Sequence, residues 1–260
     1  MAACKACQEP LVIEVDLENS DEITDTVPDD LELSCGCHFH WQCLLDESPQ
    51  VAVSLKCPSC GAYLPTNQPG PSVTNAFLAT PQGAAILARY SNEGGVEENL
   101  DILPTITEEA FLASNPEARP ARAMHLMAAE GDIVGIVDLL RDAEQPQEEG
   151  DEPHMDAKQL LLWRDPLNRG RNIVHIAVQS RQEEVFWLAL WLSSALSSQR
   201  FPEPAVQAAQ ALGLDRLPVS AIEDDVRFVQ DERGAKPEDI CHQAGSPWSN
   251  FVANGLFNIS

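Results

Sequence analysis

Cys35-Gly36-Cys37-His38-Phe39-His40-Trp41-Gln42-Cys43 places three cysteines and two histidines within nine residues. Outward from it, Cys4-x2-Cys7 lies 27 residues upstream and Cys57-x2-Cys60 lies 13 residues downstream. Two thiolates separated by two residues can hold one ion from a tight turn, and a tetrahedral structural zinc site takes two such half-sites. Four pairs therefore call for two ions. Of the eight cysteines in the chain only Cys241 stands outside this stretch. Seven clustered thiols with a histidine completing the set point to metal ligation rather than to a disulfide framework.

The rest of the composition bounds what the chain can be. Its 260 residues allow one large domain or two to three small ones, and 44% hydrophobic with 22% charged residues is ordinary for a globular protein. No apolar run reaches the ~18 residues that span a bilayer, and the Met1-Ala2-Ala3-Cys4-Lys5 start lacks the apolar stretch of a secretory signal. The expected address is the cytosol or nucleus, where thiols stay reduced, with no membrane partner. The net charge is −25, from 16 basic and 41 acidic residues. Such a surface repels phosphate backbones, so nucleic acid is excluded as a partner.

Segment 1–65 resembles a RING finger. The strings Phe39-His40-Trp41-Gln42-Cys43-Leu44 and Cys57-Pro58-Ser59-Cys60 carry the likeness. The resemblance implies an interleaved, cross-braced pair of sites: Cys4, Cys7, His40 and Cys43 on one zinc ion, Cys35, Cys37, Cys57 and Cys60 on the other. Cys37 rather than its neighbour His38 takes the fourth place, because His38 would leave one residue before His40, too short for the family's spacing. The family's function would be that of a ubiquitin ligase that positions a ubiquitin-conjugating enzyme beside a protein substrate. The contact surface departs from the family's habits: Ala6 replaces an aliphatic residue, Glu47 a tryptophan, and Gly61 a cation. Leu44, Leu45 and Pro58 are the apolar contacts that remain.

Between Cys7 and Cys35, Leu11 to Leu17 reads as a strand and the acidic remainder as a solvated excursion. Residues 66–120 read as a bridging region that opens on the turn-rich Pro65–Ser72. Gly94-Gly95 between two apolar-bearing runs predicts a β-hairpin, the alternative being an Ala-rich helix after Pro81. Thr107 reads as the cap of a short helix, bounded beyond by Pro116 and Pro120.

Residues 121–260 read as helical. Met124-His125-Leu126-Met127-Ala128 and Val174-His175-Ile176-Ala177 each open a short helix, a turn and a longer apolar-faced helix. These segments resemble ankyrin repeats, which implies protein-binding helix pairs with His125 and His175 hydrogen-bonded to neighbouring backbone as structural residues. A third, degenerate copy is expected at Asp231–Cys241. The two histidines are 50 residues apart, against a period of about 33. An acidic loop at Glu144–Pro153 and a helix at Lys158–Trp163 fill the difference. A further helix is expected at Ala205–Leu212, and Trp187 and Trp191 on one helix face as core. The expected fold class is α+β: a small finger, a bridge with a hairpin, and a helical half.

Overall fold

The structure, a computed structural model, describes residues 3–16, 24–68, 84–145, 155–213 and 215–258. The chain mixes helix and sheet and divides into two compact units, the first ending at Asn115 and the second starting at Pro116. Each has its own hydrophobic core. No helix among the described residues is long and apolar enough to cross a membrane.

In the first unit β1 (Val12–Asp16) pairs antiparallel with β2 (Thr24–Pro28). The strand expected from Leu11 is therefore present, but the acidic stretch after it holds two further strands, β2 and β3 (Asp30–Leu33). β3 alternates: Leu31 and Leu33 are buried while Asp30 and Glu32 are half-exposed, the period-two pattern of a strand with one wet face. Residues 17–23 lie outside the described residues. β3 pairs with β4 (His38–Phe39) on one side and β5 (Leu87–Asn92) on the other, and β5 pairs with β6 (Gly95–Asp101), giving the antiparallel order β4-β3-β5-β6.

β5 and β6 form the hairpin expected at Gly94-Gly95, and the helical alternative does not occur over residues 84–92. Gly95 has φ +123°, backbone that favours glycine. Among the described residues three α-helices complete this unit, α1 (Trp41–Asp46), α2 (Ser48–Ser54) and α3 (Leu103–Ser114). α3 packs on α2. Of the segment expected to bridge, 66–120, the described residues up to Asn115 thus fall in the first unit and 116–120 open the second.

Helix α3 begins earlier than its sequence suggests. Asp101 accepts the Leu103 N–H at 3.1 Å and the Ile86 N–H at 3.1 Å, and Pro104 occupies the first turn, where a missing N–H costs nothing. Thr107, expected as the cap, lies inside the helix and donates its hydroxyl to the Leu103 carbonyl at 2.7 Å.

The α-helices among the described residues of the second unit are α4 (Arg119–Glu130), α5 (Ile133–Ala143), α6 (Ala157–Leu162), α7 (Ile173–Gln179), α8 (Glu183–Ser193), α9 (Glu203–Ala211), α10 (Pro237–Ala244) and α11 (Trp248–Ala253). The helices α4–α5, α7–α8 and α10–α11 form three successive pairs, with α4 packed on α7 and α7 on α10. Gly131 (φ +83°) ends α4 and Asp132 caps α5 by accepting the Gly135 N–H at 2.9 Å. From the next pair, Gln182 donates to the Ala129 carbonyl at 3.0 Å and so ties the two turns together.

Helix α8 is buried from Val185 to Leu190, so it is apolar nearly all round, as a core helix must be. Trp187 sits among Phe186, Phe201 and Phe251, and Trp191 is half-buried against Phe201. Beyond Gln145, the acidic loop expected up to Pro153 lies outside the described residues.

Candidate metal centre

The four ligand pairs meet two by two. Cys4, Cys7, His40 and Cys43 form one cluster, Cys35, Cys37, Cys57 and Cys60 the other, and within each the four ligand atoms all lie within 4.8 Å of one another. A tetrahedral ion with Zn–S bonds of about 2.3 Å holds its sulfurs about 3.8 Å apart, so both clusters fit a zinc ion without rearrangement of the chain.

Backbone geometry builds the half-sites. Cys4 starts a turn closed by the Gln8 N–H on the Cys4 carbonyl at 3.0 Å, and Cys57 one closed by the Gly61 N–H at 2.9 Å. Gly36 (φ +76°) and Gly61 (φ +74°) supply left-handed backbone beside ligands. His40 precedes α1, which carries Cys43 into the first cluster. The sheet pairing of β3 with β4 fixes Cys35 and Cys37 at a hairpin end, where the Leu33 N–H bonds the Cys37 carbonyl at 2.9 Å.

The chemistry of the donors also fits. His40 donates from Nε2 to the Pro10 carbonyl at 2.8 Å, which leaves its Nδ1 lone pair directed at Cys7 Sγ (3.3 Å) and Cys43 Sγ (3.7 Å). Metal-bound imidazoles are oriented by this kind of hydrogen bond on the opposite nitrogen. Burial opposes ionisation of Cys4, yet the N–H groups of Cys7, His40 and Ala6 bring its thiol down to about 6. The Ala62 N–H brings Cys60 down to about 7.

Burial and the neighbouring thiols push Cys35 and Cys43 up to about 12, and Cys37 is raised for the same reasons. The three thiols of one cluster and the four of the other cannot all ionise so close together unless a cation neutralises them. A divalent ion removes that repulsion, and its binding releases protons.

His38 stands apart from both clusters: its Nδ1 meets Asp30 Oδ1 at 2.7 Å. Cys37, not His38, joins the second cluster. Leu44, expected as an outward apolar contact, is instead 1% exposed and belongs to the core. Leu45 and Pro58 are half-buried, and Ala6 and Gly61 are exposed.

Asp29, one carboxylate among many in the acidic run, is a structural residue. It is 6% exposed and accepts the Trp41 N–H, so that it anchors the start of α1 beside His40. No signal in the sequence separates it from its solvated neighbours.

In the helical unit the two histidines differ. His175 donates from Nε2 to the Ala235 carbonyl at 3.1 Å and accepts the Asn172 N–H at Nδ1, 3.3 Å away, as expected of a structural residue. Fully buried His125 does not hydrogen-bond nearby backbone. Its ring nitrogens have no hydrogen-bond partner among the described residues, Nδ1 stands 3.8 Å from Asp165 Oδ2, and the ring packs on Trp163. Asp165 in turn pairs with buried Arg122. Cys241 is fully buried, and burial pushes its thiol up to about 12, which leaves no activated nucleophile there.

No protein-family model matches the chain, and no curated protein matches it.

Proposed function

We propose that the chain is a RING-type ubiquitin ligase whose finger positions a ubiquitin-conjugating enzyme and whose ankyrin-like helix pairs hold a protein substrate. The interleaving carries this reading: the first and third ligand pairs share one cluster, the second and fourth the other. Protein ligands fill all four places of each site, so the two zinc ions are structural and do no chemistry on a substrate. The finger's contribution would be proximity, with the charged conjugating enzyme held where the acceptor amine can reach its thioester. No residue of this chain need form a covalent intermediate.

Support for the recognition half comes from the stacking of α4 on α7 and α7 on α10. Repeats of this kind cannot bury their apolar faces alone and rely on stacked neighbours. The His175–Ala235 hydrogen bond links the second pair to the segment that opens the third.

A second reading is a non-catalytic adaptor in which the finger only mediates assembly. Ala6, Glu47 and Gly61 favour it, and so does the burial of Leu44, which removes one apolar contact from the surface a conjugating enzyme would use. Autoubiquitination of the purified chain against a broad panel of conjugating enzymes separates the two, with Cys35→Ala as control. A ligase modifies itself with at least one enzyme and loses that activity in the variant. Inactivity across the panel leaves the adaptor.

A further inference from the structure

Helix α9 lies in the insertion between the second and third helix pairs and packs beside α8. An open groove of about 480 Å³ runs between α9, the first half of α8 and the start of α5. Trp187, Leu188 and Ala209 line it as buried residues; Ile133 and Leu212 are half-buried and Ala208 is exposed. The lining is apolar except for two charges, both negative: Glu183 and Glu184, exposed in the first turn of α8.

Glu183 accepts the Trp187 indole N–H at 3.2 Å, which satisfies the ring's one polar group. Glu184 has no ion pair among the described residues, and no lysine or arginine is among the lining residues; the one cation that reaches the rim, Arg141 on the Leu212 carbonyl, is paired with Asp138. The positive end of the α8 dipole favours carboxylates here, but the dipole is not a counter-ion that travels with a ligand. An apolar trough with an acidic rim is complementary to one kind of occupant.

We propose that this groove receives an extended or helical segment of a partner protein that carries a bulky aliphatic or aromatic side chain flanked by lysine or arginine. The apolar side chain would displace water from Trp187 and Leu188, in the manner of an interface anchor. The flanking cation would meet Glu184 and Glu183, steering the encounter and rejecting acidic competitors. A second copy of this chain is a poor occupant, because each copy carries a net charge of −25. The proposal rests on the helical unit being a recognition module and names the chemistry it recognises.

The test uses the whole 260-residue chain, zinc-loaded, panned against a phage-displayed library of random short peptides. Enriched peptides are then measured by fluorescence polarisation. Enrichment of peptides that join an apolar residue to an adjacent lysine or arginine is expected. Ala208→Trp, which fills the groove from its lip, should weaken their binding by about tenfold or more. The exposed Glu184→Lys, which does not disturb the core, should weaken it by a similar factor and flatten its salt dependence.

No enrichment, enrichment of acidic peptides, or affinity unchanged in both variants would overturn the proposal. Because no conjugating enzyme enters this assay, inactivity in autoubiquitination leaves its result standing. Peptide binding that survives such inactivity supports the groove and sinks only the ligase.

Discussion

The Tyr90 hydroxyl donates a 3.0 Å hydrogen bond to Oδ1 of Asp29, the same oxygen that accepts the Trp41 N–H at 3.1 Å. One buried carboxylate thereby joins the β5–β6 hairpin to the helix that follows His40, and the Trp41 and Tyr90 rings pack with centroids 5.0 Å apart. Tyr90→Phe removes a donor and should cost about 1 kcal/mol; Asp29→Ala leaves two half-buried donors without an acceptor and should cost about 1–3 kcal/mol. In the Asp29→Ala background Tyr90→Phe should add little, since the partner is already gone. Urea unfolding of the zinc-loaded chain measures all three, and full additivity would mean the bond contributes nothing.

Acid should loosen the helical unit before its carboxylates titrate. Burial holds His175 down to about 4 from its ordinary 6.5, outweighing the Ala235 carbonyl and Asp231, which favour the charged form. A base with a depressed folded pKa binds more protons unfolded, so its contribution is present above about pH 6.5 and is lost as pH falls towards 4. His125 is lowered too, first by burial and against Asp165. The thermal midpoint of the helical signal should fall across that window, and His175→Gln should flatten part of the slope while lowering stability at neutral pH. A midpoint independent of pH between 6.5 and 4 would contradict the buried neutral imidazoles.

Arg227 pins the end of the described chain. Its guanidinium forks onto Asp225 (Nε to Oδ1 2.9 Å, Nη2 to Oδ2 2.7 Å) and donates from Nη1 to the Leu256 carbonyl at 2.8 Å. Both side chains are 2% exposed. Arg227→Met strands a buried carboxylate and should cost about 3–5 kcal/mol. Adding Asp225→Asn should return part of that loss, and hydrogen exchange near Leu256 should quicken in the single variant. Unchanged exchange there would show that the C-terminal segment is held by packing alone.

Much of this was legible because zinc ligation needs particular atoms at particular spacings. The two clusters assemble the residues that the pair spacing and the RING resemblance named, with Cys37 in and His38 out. The hairpin at Gly94-Gly95 could be read for a related reason: turn glycines leave a local mark.

What stayed hidden depends on distant partners. β2 and β3 lie in an acidic stretch whose charge density outweighs the alternation of Leu31 and Leu33. The early start of α3 depends on the carboxylate of Asp101, and the start of α4 at Arg119 precedes the quoted pattern that begins at Met124. His125 shares its sequence position with His175, yet Asp165 and Trp163 from a later segment decide its surroundings.

The interleaved pairing is the central claim, and cadmium-113 NMR of the cadmium-loaded chain tests it most directly, because the resonance position reports how many sulfurs each ion has. The interleaved sites are one with four sulfurs and one with three sulfurs and a nitrogen. Sequential pairing of the same residues would give the same two donor sets, so the variant Cys7→His decides between them. Interleaving leaves the four-sulfur resonance in place and moves the other to two sulfurs and two nitrogens. Two resonances that both report three sulfurs and one nitrogen would show sequential pairing and contradict the cross-brace.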